Sequence, residues 1–100
     1  MKRLEIELDA QVEYFEAALQ YDSEVQGLGF RFQAEVEQTC RRIEENPRAY
    51  TEVAPGFRRA LVNVFPYGVT YYETEELILV VSILHLHRDP DTWIKRTKRD

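Results

Sequence analysis

The chain has 100 residues, 44% of them hydrophobic and 31% charged, which predicts a single globular domain with one small core. Its formal net charge is −5, whereas proteins that bind nucleic acid mainly through the phosphates usually carry a basic surplus. The single cysteine, Cys40, excludes an internal disulfide framework, and the longest mostly apolar run, Leu77 to Leu86, is about half as long as a membrane-spanning helix.

A half-buried strand is predicted at residues 2–8. Its apolar residues alternate with charged ones and share one face: Leu4, Ile6 and Leu8. The pattern leaves open whether this strand pairs at an edge of a sheet or inside it. Asp9 follows at the position of a helix N-cap, because its carboxylate can accept hydrogen bonds from the amides of a first helical turn.

Two amphipathic helices are predicted next. In the first, from Ala10 to Glu24, apolar residues at three- and four-residue steps predict a buried stripe: Val12, Phe15 and Leu19, widened by Tyr14 and Ala18. The segment Gln26-Gly27-Leu28-Gly29 ends the first helix, and a second helical pattern follows at once and ends at Asn46-Pro47. Its predicted buried stripe is Leu28, Phe32, Val36, Thr39 or Cys40, and Ile43. A short Gly-containing turn between two such helices predicts a helical hairpin.

The second half of the chain has the pattern of strands. Alternation predicts strands at residues 57–65 and 69–74, separated by Pro66-Tyr67-Gly68. The run Leu77 to Leu86 is apolar enough for a strand that is buried on both faces. A last segment, Asp91 to Arg99, is either a short helix with Asp91 as its cap or a basic tail.

This order of elements predicts one α+β domain over residues 1–100. It consists of an N-terminal strand, a helical hairpin and a three-stranded antiparallel meander, with the helices packed on one face of the sheet.

Several short motifs occur in a fixed order along the chain. They are Gly27-Leu28-Gly29-Phe30-Arg31-Phe32, Asn46-Pro47, Arg58-Arg59-Ala60-Leu61, Phe65-Pro66-Tyr67, Tyr71-Tyr72 and His85-Leu86-His87-Arg88-Asp89-Pro90, followed by Trp93 and Arg96. Together they resemble the RelE/ParE superfamily of type II toxins, on its ParE (plasmid stabilisation) side, over about residues 3–96. The resemblance implies a small cytoplasmic α+β toxin, encoded with an antitoxin whose C-terminal segment wraps around it.

The resemblance implies two alternative activities. ParE-like toxins inhibit DNA gyrase, whereas RelE-like toxins are ribosome-dependent mRNA endonucleases. A nuclease would use Arg58, His85 and Arg88, since attack by a 2′-hydroxyl needs proton transfer and cationic stabilisation. The nuclease branch tends to carry several lysines and arginines in its cleft and a tyrosine near the C-terminus. This chain has no lysine between Arg3 and Lys95.

We therefore expect a toxin that binds a protein target such as DNA gyrase and is not an enzyme. A degenerate, non-toxic member of the fold is a third alternative. The residues expected to contact the antitoxin or the target are Arg58, Arg59, Tyr72, His87, Arg88, Trp93 and Arg96. Arg58 and Arg59 are expected on opposite faces of one strand, because they are adjacent in it.

No cofactor, metal or membrane partner is predicted from the sequence. His85 and His87 are two residues apart, as two ligands on a strand can be, but only Asp89 or Asp91 offers a further nearby ligand. Cys40 falls near the buried stripe of the second helix and is expected to act as a small hydrophobic residue.

Overall fold

The computed structural model describes residues 1–88 and 92–97. Along these residues the elements are, in chain order, β1 (Arg3–Ile6), α1 (Leu8–Glu24), α2 (Leu28–Glu45), β2 (Thr51–Ala54), β3 (Phe57–Leu61), β4 (Tyr67–Glu73), β5 (Leu77–His85) and α3 (Thr92–Thr97). None of the helices in this part of the chain has the length and the apolar character needed to cross a bilayer.

The strands form one five-stranded sheet in the order β1-β5-β4-β3-β2. β1 is an edge strand because it stands at one end of this order, and it pairs in parallel with β5, while the other neighbours are antiparallel. The predicted α+β class is confirmed, but the prediction of three strands after the helices is wrong, because β2 adds a fourth. β2 was missed because its four residues are mostly exposed and do not alternate between polar and apolar.

The helical hairpin is closed by one side chain. Oδ1 of Asp22, near the end of α1, accepts hydrogen bonds from the backbone N–H groups of Gly27 and Gly29, both at 3.0 Å. At the other end of α1 the prediction of Asp9 as N-cap is wrong, since the helix already begins at Leu8. Asp9 lies instead in the first turn, where a negative charge is favourable to the helix dipole.

The main core lies between the helical hairpin and one face of the sheet, here called the helix-covered face. The predicted stripe of α2 is confirmed, with Phe32, Val36, Thr39 and Ile43 buried. The predicted stripe of α1 is wrong for Val12, Phe15 and Leu19, which are exposed, whereas the predicted Ala18 is buried and Tyr14 packs against the core. The buried residues of α1 are alanines: Ala10, Ala17 and Ala18.

A smaller apolar cluster covers part of the second face of the sheet. There Trp93 of α3, which is 2% exposed, packs in a cluster with Val81, Leu84, Phe57 and Tyr72. The sequence leaves helix or tail open for this segment, and the structure has a helix at Thr92–Thr97. The predicted cap Asp91 and the end of that segment at Arg99 lie outside the described residues, as do the metal-ligand candidates Asp89 and Asp91.

A β-bulge in β5 allows both faces of the sheet to be apolar at this strand. The pairing of β4 with β5 shifts by one residue, because Thr70 lies opposite Ser82 but Tyr71 lies opposite Val80. The extra residue, Val81, changes the phase of the side chains that follow it. As a result Val80 and Ile83 both belong to the main core, although they are three residues apart.

Candidate protein-binding site

Arg58 and Arg59 lie on opposite faces of β3, as the alternation predicts. On the helix-covered face, Nη1 of Arg58 donates a hydrogen bond to the carbonyl oxygen of Tyr50 at 2.8 Å. On the second face, Nε of Arg59 donates to Oγ1 of Thr70 at 2.9 Å. Each guanidinium is thus oriented by contacts within the fold, and the two do not form a joint cationic site.

His85 and Arg88 line a cavity of about 280 Å³ beside α1, together with Glu13, Glu16, Gln20 and Tyr67. The imidazole of His85 packs against the Tyr67 ring at 5.3 Å, and its Nδ1 accepts a hydrogen bond from the backbone N–H of His87 at 3.1 Å. Burial, followed by the charges of Arg88 and His87, lowers the pKa of His85 below its usual value of 6.5. The neutral ring is therefore favoured near pH 7.

Arg58 does not lie with His85 and Arg88. Arg58 is opposite Tyr71 on β4, whereas His85 is opposite Tyr67 on the same strand. Four residues along a strand correspond to about 13 Å. The three side chains that a nuclease would require are thus divided between two places on the sheet.

His87 lies beside the His85 ring, at a centroid distance of 5.8 Å. The other predicted contact residues lie at α3 and the face it covers. The ring of Tyr72 contacts Phe57 at a centroid distance of 5.3 Å, and that of Trp93 contacts Phe57 at 4.9 Å. Arg96 bonds to Glu13 and Asp9 of α1 at 3.2 and 3.3 Å. Trp93 and Arg96 therefore fasten α3 to the rest of the domain.

Neither a metal centre nor a reactive thiol is apparent in the part of the chain that the structure describes. No group of three or more His, Cys, Asp or Glu side chains is arranged there to hold a metal ion. Burial and the neighbouring carboxylates of Glu44 and Glu37 raise the pKa of Cys40 to about 12. The thiol of Cys40 therefore stays protonated at neutral pH, which makes it a poor nucleophile.

An exposed apolar surface lies on the outside of the helical hairpin. Four side chains of α1 and one of α2 form it: Leu8 (73% exposed), Val12 (47%), Phe15 (61%), Leu19 (58%) and Phe30 (76%). We call these five residues the docking stripe. A hollow lies on either side of Phe15, one lined by Leu8 and Val12 and the other by Leu19 and Phe30. Contiguous exposed apolar surface of this kind marks a site of protein interaction.

The docking stripe was missed because α1 carries two apolar stripes. One contains Ala10, Tyr14, Ala17 and Tyr21, and the other contains Leu8, Val12, Phe15 and Leu19. At about 100° per residue the two lie on nearly opposite sides of the helix. Periodicity alone does not tell which of the two stripes faces the core, and a helix that is apolar on two sides must bury both or bind a partner with one.

The helix that carries most of the docking stripe is acidic, although two of its carboxylates, Asp9 and Glu13, are paired with Arg96. α1 carries five carboxylates and no lysine or arginine, and the carboxylates are Asp9, Glu13, Glu16, Asp22 and Glu24. A partner segment with apolar residues flanked by lysine or arginine matches such a surface in both shape and charge.

Comparison with known proteins agrees with this architecture. A solved structure titled "Chromosomal ParDE TA system from P. aeruginosa" superimposes with a TM-score of 0.78, covering 87% of this chain and 98% of the other at 11% identity. At that identity the likeness establishes the fold. Comparison with curated proteins finds no sequence match.

The sequence itself matches one family over most of its length. The family is described as the ParE toxin of the type II toxin-antitoxin system, and the match spans residues 7–90. These residues include the helical hairpin and all of the sheet except β1. The chain therefore belongs to the ParE toxin family of type II toxin–antitoxin systems.

Proposed function

We propose that this toxin is held inactive by a cognate antitoxin whose amphipathic segment binds along the docking stripe. The observation that carries the proposal is the exposure of four large apolar side chains on one side of α1, at i, i+4, i+7 and i+11. An amphipathic helix that presents its apolar side to these residues buries surface that the toxin alone leaves in water.

The antitoxin test compares two sets of variants in binding to the antitoxin encoded beside the toxin gene. Phe15→Ser combined with Leu19→Ser is expected to weaken binding roughly 100-fold, because large apolar residues at the centre of an interface contribute most of the affinity. The matched control is Val53→Ser, since Val53 is an exposed apolar residue of β2, away from the docking stripe. Unchanged affinity of the double variant, with a loss for Arg59→Glu and Arg96→Glu, would place the antitoxin at the residues predicted from the sequence.

The proposed target of the toxin is DNA gyrase. Two considerations support it: membership of the ParE family, and the division of Arg58 from His85 and Arg88, which disfavours the nuclease alternative. Purified toxin is expected to inhibit supercoiling by gyrase, and addition of the antitoxin is expected to restore it. A toxin that arrests growth without any effect on gyrase would contradict this target.

The mRNA endonuclease is retained as a second candidate because the cavity beside α1 contains His85, Arg88 and Tyr67. Mapping of cleavage sites on translated mRNA distinguishes the two activities. Cuts that disappear with His85→Ala or Arg88→Ala would favour the nuclease over gyrase inhibition. Growth that is unaffected by induced expression would instead indicate a non-toxic member of the fold.

A further inference from the structure

The connection between β3 and β4 contains an unusual backbone conformation. Val64 has φ = 74°, and it is the one non-glycine residue with positive φ among residues 1–88 and 92–97. The two other positive-φ positions in this part of the chain are Gly27 and Gly56. Left-handed conformations are unfavourable for β-branched side chains in particular, so a valine at this position is strained.

The residues on both sides of Val64 impose this conformation. Phe65 is 7% exposed and packs edge-on against Tyr21 and Phe32, at centroid distances of 4.9 and 5.3 Å. The N–H of Tyr67 donates to the carbonyl oxygen of Phe65 at 2.8 Å, and the N–H of Val62 donates to that of Tyr67 at 2.9 Å. The backbone at Val64 is therefore bent to bury Phe65.

The side chain of Val64 is not buried in the core, so core packing of this side chain does not compensate for the strain of its backbone. It is 71% exposed, so a glycine at this position would relieve the backbone without removing a buried contact. Leu61, at the end of β3, is also large, apolar and 60% exposed. We call these two residues, Leu61 and Val64, the docking tip.

The segment that carries the docking tip differs in charge from the helix that carries most of the docking stripe. Residues 53–72 contain no aspartate or glutamate, although the whole chain has 18 acidic residues. Arg42 donates to the carbonyl oxygen of Leu61 at 3.4 Å, and Arg59 precedes Leu61 on the same face of β3. A partner suited to this surface has an apolar pocket with carboxylates at its rim, whereas the docking stripe suits a basic partner.

We propose that the docking tip is a second protein-binding site, which inserts Val64 and Leu61 into an acidic-rimmed apolar pocket of the protein that the toxin attacks. This proposal rests on one part of the proposed function, namely that the toxin acts by binding a cellular protein. It assigns the antitoxin and the target to two different surfaces, because their chemistry differs.

The decisive variant is Val64→Gly, since it removes the side chain and the strain together. The melting temperature is expected to rise by roughly 5 °C, because relief of strain stabilises a domain of this size by a few degrees. Growth arrest on induced expression is expected to be lost, and affinity for the antitoxin is expected to stay within about threefold of the unmodified toxin. Leu61→Ser is expected to lose growth arrest as well, and Val53→Ser, the exposed control on β2, is expected to retain it.

The outcomes separate this proposal from the proposed function. Val64→Gly that is as toxic as the unmodified toxin at equal expression, or that binds the antitoxin more than tenfold more weakly, overturns the assignment of the docking tip alone. A lower melting temperature for Val64→Gly overturns the strain argument and the proposal with it. Failure of the unmodified toxin to arrest growth contradicts both the docking tip and the proposed function.

Discussion

The carboxylate of Glu13 protects a sheet edge that β1 leaves uncovered. β1 follows β5 only as far as Val80, and beyond this residue the described strands leave β5 paired with β4 on one side and unpaired on the other. Oε1 of Glu13 accepts hydrogen bonds from the N–H of Ile83 and the hydroxyl of Ser82, both at 3.0 Å. Nη2 of Arg96 donates to the carbonyl oxygen of Val81 at 2.6 Å. The side chains of Glu13 and Arg96 thus occupy hydrogen-bonding groups of this edge, which could otherwise pair with a strand of another chain.

Replacement of Glu13 by alanine is expected to lower the free energy of unfolding by about 2 kcal/mol, because it leaves the backbone N–H of Ile83 and the hydroxyl of Ser82 without their acceptor and removes one of the two carboxylates paired with Arg96. Urea denaturation measures the change. The control is Glu16→Ala, which removes an exposed carboxylate from the same helix and is expected to change stability by less than about 0.5 kcal/mol. Equal stability of the two variants would show that Glu13 has no role at the edge.

His85 is expected to make the protein less stable as the pH falls. Its pKa is lower in the folded protein than in the unfolded chain, where it is near 6.5. Between these two values the unfolded chain binds the extra proton, so stability falls as the pH drops below about 6.5. Unfolding measured at several pH values should show this decrease, and His85→Gln should reduce it. A His85→Gln profile parallel to that of the unmodified protein between pH 7 and 5.5 would contradict the assignment.

At the scale of elements, the helical hairpin depends on a close approach of α1 and α2. A Cβ atom at Gly29 would lie 2.5 Å from the carbonyl oxygen of Ala18 and 3.1 Å from Oδ1 of Asp22. The alanines on the inner side of α1 belong to the same arrangement, because they bring the helix near the sheet, while Leu8, Val12, Phe15 and Leu19 point outward. The close packing of the hairpin therefore positions the docking stripe.

Gly29→Ala is expected to destabilise the protein by about 2 kcal/mol, since the added methyl group forces α2 away from the backbone of α1. The control in the same helix is Glu37→Ala, an exposed position where a change below about 0.5 kcal/mol is expected. Chemical denaturation of both variants provides the comparison. A Gly29→Ala variant as stable as Glu37→Ala would mean that α1 and α2 can move apart enough to accommodate the methyl group without a loss in the free energy of unfolding.

At the scale of the whole molecule, two surfaces of opposite charge face different partners in our proposals. Four of the five docking-stripe residues lie on α1, whose charged side chains are all acidic, and the docking tip begins at the end of β3, a strand with two arginines and no acidic residue. Long-range attraction of this kind raises the rate at which a charged partner finds its site more than it lengthens the life of the complex.

The rate constant for association with the cognate antitoxin is accordingly expected to fall roughly tenfold between 50 and 500 mM NaCl, with little change in the dissociation rate constant. Stopped-flow mixing at several salt concentrations measures both. Glu16→Gln combined with Glu24→Gln is expected to flatten this salt dependence, because both residues lie on the acidic helix. Association that is insensitive to salt would argue against electrostatic steering at this surface.

Individual residues show how far the sequence predicts the site. Arg58 and Arg59 were expected on opposite faces of one strand, and they are, because neighbours in a strand point in opposite directions. The docking stripe could not be distinguished from a core stripe, since periodicity shows that Phe15 and Leu19 share a side but not what covers that side. Likewise no local pattern indicates a positive φ at Val64, which is imposed by the burial of Phe65.

The amino-acid sequence alone determined the α+β class, the helical hairpin, the buried stripe of α2 and the resemblance to the RelE/ParE superfamily. These follow from local periodicity, from turn-forming residues and from the order of short motifs. Only the tertiary structure decided which side of α1 is buried, that β1 pairs at the edge with β5, that the bulge at Val81 reverses the faces of β5, and that Glu13 and Arg96 meet. Each of these depends on contacts between residues far apart in the chain, and such contacts are set by the packing of the whole domain.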